Sequence, residues 1–257
     1  MDTMEIKHTR CFGSCMVAEW GLEQWRDDIL AHWNEINLYT MTRGIDRFQA
    51  LAMALEDIRE KYCEIEDLEG LEQWLRDSTV RTNDTLGQAA AHSGNVCLQK
   101  ARAWSIAADR AVSQLTQDEK QPFEGVRRAL ARAHRYADVA IMSDTSLGTV
   151  LDEWDVYGLL EHSDIVLAQE SGSKETSIAA LCDMGYAKNR VLLCGDAPGD
   201  LEAAQKNGIL FYPILAKHEQ ESWETFASEG FEHLLDGSYA GAYQQKTIDA
   251  FLKNLNG

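Results

Sequence analysis

Past residue 138, four short apolar runs, DVAIMS, DIVLAQ, RVLLCG and ILFYPI, alternate with longer stretches of helical pattern. This alternation constrains the fold more than any other feature. Strands of four to six residues separated by helices build βαβ units, and βαβ units build a parallel sheet. Such sheets present their sites at the carboxyl ends of the strands. The intervening segments PFEGVRRALARAHRY, LGTVLDEWDVYGLL, KETSIAALCDMG and DLEAAQKNG read as helices, and Gly208 stands in the stop position of the last.

The first part of the chain has a different texture. Residues 22–118 read as helices, with Phe48, Leu51, Leu55 and Ile58 at helical spacing in RFQALAMALEDIREKY. Five tryptophans (Trp20, Trp25, Trp33, Trp74, Trp104) recur between residues 20 and 104, and they read as core and not as a ligand platform. The organisation expected is an N-terminal segment 1–21, with a possible place in the core, a helical region 22–118 and an α/β core 119–257.

Composition excludes several classes of partner. The 257 residues carry a net charge of −18, which argues against nucleic acid and anionic membranes. No run of about 18 apolar residues is present, and MDTMEIKHTR lacks the apolar core of a signal peptide. The six cysteines are scattered and the seven histidines show no ligand spacing, so reduced thiols, a cytoplasmic location and no zinc site are expected.

Charge then collects where the strands end. AIMS ends at Ser143, followed by Asp144 and Thr145. After DIVLAQ comes Lys174, in ESGSKETS. VLLCG runs into Asp196, and Asp200 follows four positions later. A hydroxyl and an ammonium can bind phosphoryl oxygens. Two carboxylates can hold Mg²⁺, a hard cation that prefers oxygen. Together these groups suit phosphoryl transfer, where positioning and charge neutralisation do most of the work. Taken singly, Ser143 reads as a strand-end cap, Lys174 as a solvated residue and Asp200 as the N-cap of the next helix.

Order and spacing here resemble the haloacid dehalogenase (HAD) superfamily, mostly Mg²⁺-dependent phosphohydrolases. VAIMSDTS is similar to its motif II, SGSKET to motif III, and VLLCGDAPGDLEAA to motif IV, the GDxxxD pattern. LLEHSDIVLAQESGSK resembles the segment joining motifs II and III. The likeness covers roughly residues 120–215. Asp144 departs from the usual asparagine and Glu175 from the usual proline. The resemblance implies a Rossmannoid parallel sheet with a helical cap, and a small phosphorylated metabolite as substrate. It implies that Ser143 hydrogen-bonds a phosphoryl oxygen, Lys174 neutralises charge, Asp196 ligates Mg²⁺ and Asp200 holds its hydration shell. Asp144 and Thr145 would face the substrate. In the cap stretch NLYTMTRGIDRF, Thr40, Thr42 and Arg43 could contact the non-reacting part of the substrate, with Arg43 suited to an anionic group. The alternative for Arg43 is a surface pair with Asp46 or Asp57.

Motif I is missing. The family's first strand ends in DxD, whose first aspartate is the nucleophile and whose second is the general acid and base. The nearest shape is CMVAEWGL, where Glu19 is the lone carboxylate. Its longer side chain would misplace the attacking oxygen, and a misplacement near 1 Å can cost ~100-fold. The absent strand is a central one, so its loss leaves backbone groups unpaired on two neighbours. Three readings stay open: a strand upstream of Met1, residues 1–20 filling the slot without the chemistry, or a strand arriving from another chain. The functions in view are accordingly a phosphohydrolase, a non-catalytic binding protein on the same scaffold, and, more weakly, a dehalogenase. Oligomeric state and substrate identity have no readable signature.

Overall fold

A computed structural model describes every residue except Asp144. The chain divides into two compact units, Asp2–Glu119 and Lys120–Gly257, with Met1 grouped with the second.

Among the described residues the first unit is helical and holds no strand. A single turn, Met4–Ile6, and a π-helical turn, Lys7–Phe12, run into α1 (Gly13–Trp20). There follow α2 (Arg26–Asn34), α3 (Arg47–Lys61), α4 (Leu68–Asp77), α5 (Asn83–Ser93) and α6 (Val96–Ser113). Polar side chains fix the helix starts by accepting otherwise orphaned backbone N–H groups. Asp46 accepts from Phe48 and Gln49 at α3, and Asn95 from Leu98 at α6. The core gathers Phe48, Leu51, Leu55 and Ile58 with Trp33, Trp74 and Trp104, while Trp20 and Trp25 pack against its margin. Full burial of each large apolar side chain contributes about 1.5–3 kcal/mol, so this face-to-face packing is the main support of the unit. The stretch CMVAEW lies within α1 and forms no strand. Residues 4–20 therefore do not fill a sheet position, and the expectation that they might do so is corrected. A short apolar run cannot be assigned to helix or strand by pattern alone, and tertiary packing decided this one.

The second unit has the alternating order expected. α7 (Val126–Ala133) leads to β1 (Ala140–Met142), then α8 (Leu147–Val156), β2 (Ile165–Leu167), α9 (Lys174–Asp183), β3 (Leu192–Gly195), α10 (Pro198–Asn207) and β4 (Leu210–Pro213). Three helices follow, α11 (Glu219–Thr225), α12 (Phe231–Asp236) and α13 (Ala242–Asn256). α10 starts on Pro198, whose missing N–H and fixed φ suit the first helical position. It stops at Gly208, whose φ of 66° is open to glycine at little cost.

Both strand pairings are parallel. β1 pairs with β2 in the register Ala140–Ile165 to Met142–Leu167, and β3 with β4 in the register Leu192–Leu210 to Gly195–Pro213. Among the described residues these are two separate two-stranded sheets and not the single sheet expected. Val139, entering β1, and Leu192 and Cys194 of β3 pack on one apolar cluster with Ala129 and Ala133 of α7 and Leu210 and Tyr212 of β4. All of β4 is buried, whereas β3 is only half-buried along its length. Among the described residues β1 and β3 each pair on one edge alone.

Candidate functional site

Three strand ends bring the sequence-predicted residues into this unit. β1 runs straight into Ser143, whose backbone N–H still donates to Leu167 of β2. Its Oγ accepts from the Thr145 N–H at 3.1 Å, forming a tight turn at the strand end. Among the described residues no acceptor takes its hydroxyl proton. Asp144 lies outside the described residues. The Thr145 carbonyl accepts from Gln169, which ties the turn to the segment after β2.

Past β2, Ser173 caps α9 by accepting from the Thr176 N–H. This cap sets Lys174 as the first helical residue. The Lys174 ammonium donates to Asp200 Oδ1 at 2.7 Å. The other oxygen of Asp200 accepts from the N–H groups of Asp196 and Ala197, each at 3.1 Å. Ala197, not Asp200, is the N-cap of α10. Asp200 sits at the third helical position and reaches back to the cap, the acidic half of a capping box. The bland sequence reading of Asp200 as N-cap is corrected accordingly. With 3% of its surface exposed, Asp200 is a buried charge held by one ammonium and two amides. A second tie holds the same two helices together, since Asn207 of α10 donates to the Glu175 carbonyl and Lys206 pairs with the Glu175 side chain.

The half-buried Asp196 stands at the carboxyl end of β3. The oxygen chemistry of this carboxylate fits a hard cation that keeps most of its water. Both oxygens of Asp200 are already engaged by the protein. The structure thus brings Lys174, Asp196 and Asp200 together, and places Ser143 at the end of β1. Burial pushes the thiol of Cys194, one residue from the end of β3, up to about 12, which disfavours its thiolate at neutral pH.

The remaining predicted residues lie in the helical unit. Glu19 sits in the last turn of α1, with no strand before it. Arg43 is buried in a turn and donates through Nη1 to the Leu38 carbonyl at 2.7 Å. Asp46 is occupied as the cap of α3, and Asp57 pairs with His32. The Thr40 and Thr42 hydroxyls bond to each other, and to the carbonyls of Glu35 and Ile36, closing the end of the helical stretch. Sequence reasoning missed the Lys174–Asp200 contact, whose partners lie 26 residues apart. It also left His8 without a role, although that residue sits in a π-helical turn. Such turns are rare and often mark functional positions.

No helix among the described residues is long and apolar enough to cross a membrane. All six cysteines are unpaired with one another. No curated protein and no solved structure matches the chain. A family model described as haloacid dehalogenase-like hydrolase matches residues 27–214, most of the chain and parts of both units. The chain belongs to the haloacid dehalogenase-like hydrolase family.

Proposed function

We propose that this chain carries the phosphoryl-binding and cation-binding parts of a Mg²⁺-dependent phosphohydrolase acting on a small phosphorylated metabolite. The observation that carries the reading is the clasp in which Asp200 holds the Lys174 ammonium beside the end of β3. A buried carboxylate with three donors is a costly arrangement to maintain for a solvated lysine, and it suits one that must stay in place. In this reading Ser143 donates its hydroxyl proton to a phosphoryl oxygen, and Lys174 balances charge on the transferring group. Asp196 would hold Mg²⁺, with Asp200 outside its ligand shell. Bound there, the cation would neutralise developing negative charge on the phosphoryl oxygens. The helical unit would act as the cap that selects substrate and excludes water.

The nucleophile in this reading is a carboxylate carried on a strand between β1 and β3. Parallel pairing makes the odd residues 191, 193 and 195 of the β3 region face β4, so Leu192 and Cys194 turn their backbone groups to the open edge. By the same alternation Ala140 and Met142 face the open edge of β1. That edge favours a second reading, a phosphate-binding protein without turnover.

Phosphate release from an aryl phosphate separates the two. The 257-residue chain would be assayed with Mg²⁺ and with a chelator, beside a version with a short apolar strand ending in Asp-x-Asp fused before Met1. The hydrolase reading expects Mg²⁺-dependent turnover in the fusion, lost in Asp196→Asn. A fusion whose strand is protected from hydrogen exchange yet gives no turnover would establish the binding reading. Turnover that survives both chelator and Asp196→Asn would overturn the site.

A further inference from the structure

One face of α10 is polar at both ends, and both ends hold α9. Asp200, Ala203, Ala204 and Asn207 are buried and stand at helical positions i, i+3, i+4 and i+7, so they share that face. At its first end Asp200 takes the Lys174 ammonium. At its last end Asn207 Nδ2 donates to the carbonyl of Glu175, the residue next to Lys174, at 3.1 Å. The other proton of that amide goes to the Ala203 carbonyl one turn back, at 2.9 Å. Both donors are therefore used, and the amide is held in one orientation.

An asparagine in this place needs a reason. Asn207 is 8% exposed, and burying an amide is costly unless its donors are bonded. An alanine there would continue the stripe of Ala203 and Ala204 with no such demand. Lys206 and the Glu175 side chain also bridge the two helices, but half of each lies in solvent, where an ion pair contributes little. The buried amide is thus the bond that fixes α10 against the start of α9. A lysine is a charge on a flexible four-carbon stem. Asp200 fixes the far end of that stem, and Ser173 orders the first turn of α9 from within. Neither sets the backbone of α9 against its neighbour. Asn207 does so, from the same helix that carries Asp200.

We propose that Asn207 is a positioning residue for Lys174: by holding the Glu175 carbonyl it sets the backbone from which the lysine reaches Asp200. Its bearing on function rests on the reading of Lys174 as the group that balances phosphoryl charge.

Urea unfolding of the full chain, run as a double-mutant cycle of Asn207→Leu and Lys174→Met, tests the positioning. If Asn207 acts through Lys174, its loss matters less once the ammonium is gone. The two losses should then fall short of their sum, by about threefold or more in the unfolding equilibrium constant. A residue that only packs α10 against α9 gives losses that add. Titration with inorganic phosphate in Mg²⁺ reads the functional side. Affinity is expected to fall about tenfold in Asn207→Leu, roughly the worth of one charged hydrogen bond, and to stay unchanged in Lys206→Met, which removes the exposed tie alone. A parent chain that binds no phosphate would overturn the phosphoryl reading of Lys174, and the cycle would still decide the role of Asn207. Additive losses would overturn that role whatever the titration gives. Should Asn207→Leu fold poorly, Asn207→Ala takes its place in the same cycle.

Discussion

The Lys174 ammonium lies 2.7 Å from Asp200 Oδ1, and Asp200 is the more deeply buried partner, with 5% of its side chain exposed against 29% for lysine. The asymmetry sets which partner matters more for stability. Removing the carboxylate strips one ammonium and two backbone amides of their acceptor at once. Breaking a buried pair from one side costs about 3–5 kcal/mol, and the exposure of Lys174 places Asp200→Ala near the lower end of that range. Lys174→Met leaves the carboxylate its two amides, so about 1–3 kcal/mol is expected. Urea unfolding of the two variants checks the order. Equal losses would show that the amides contribute nothing.

The last residue of β3 has to be glycine. A Cβ built on Gly195 would lie 2.4 Å from the Asp200 Cβ and 2.6 Å from its Oδ2. Asp200 cannot retreat without releasing Lys174 and the amides of Asp196 and Ala197. Gly195→Ala is therefore expected to lose about 1–3 kcal/mol through overpacking. It should also weaken phosphate binding at Lys174, read by calorimetry on the folded variant. A variant as stable as the parent would show that the close approach is relaxed in solution.

Much of this was legible in the residues. The four apolar runs became the four strands because each is short, bounded and followed by helical pattern. Ser143 and Asp196 were legible as strand-end residues for the same reason, since a polar residue right after a buried run marks a strand end, whereas Lys174 opens the helix after β2. What stayed hidden depended on distance along the chain. The Lys174–Asp200 clasp joins two helices across an intervening strand, and no local pattern encodes it. The identity of Asp200 as third helical residue turned on Pro198 starting the helix two positions earlier. Residues 7–12 adopt a π-helical turn that apolar periodicity does not distinguish from an α-helix.

The unpaired edges of β1 and β3 make a residue-by-residue prediction about hydrogen exchange. The Leu193 amide faces β4 and the Ile141 amide faces β2, whereas the amides of Met142, Leu192 and Cys194 face the open edges. Exchange follows the local opening free energy and is fast for unpaired groups. The amides of Leu192, Cys194 and Met142 are expected to exchange well before those of Leu193 and Ile141. Fusing an apolar strand before Met1 should slow the first set and leave the second unchanged. Equal protection of both sets in the 257-residue chain would mean that β1 and β3 already have a partner on their second edges.

His8 gives the stability of the protein a pH dependence with a defined sign. Its ordinary value is 6.5, and burial with the charges of Arg43, Arg47 and Lys7 lowers it to about 4. Between these two values the unfolded chain holds a proton on His8 that the folded chain does not. Stability from this residue is thus complete above pH 6.5 and is lost as the pH falls towards 4. The loss amounts to at most about 3 kcal/mol, from 1.36 kcal/mol for each tenfold change in proton affinity. Carboxylates contribute to acid unfolding as well, so the quantity to measure is the difference between the parent and His8→Gln. Urea unfolding at pH 7 and at pH 4.5 should show the parent losing more stability than the variant over that interval. Identical pH slopes in parent and variant would place His8 in contact with solvent and remove the basis of the shift.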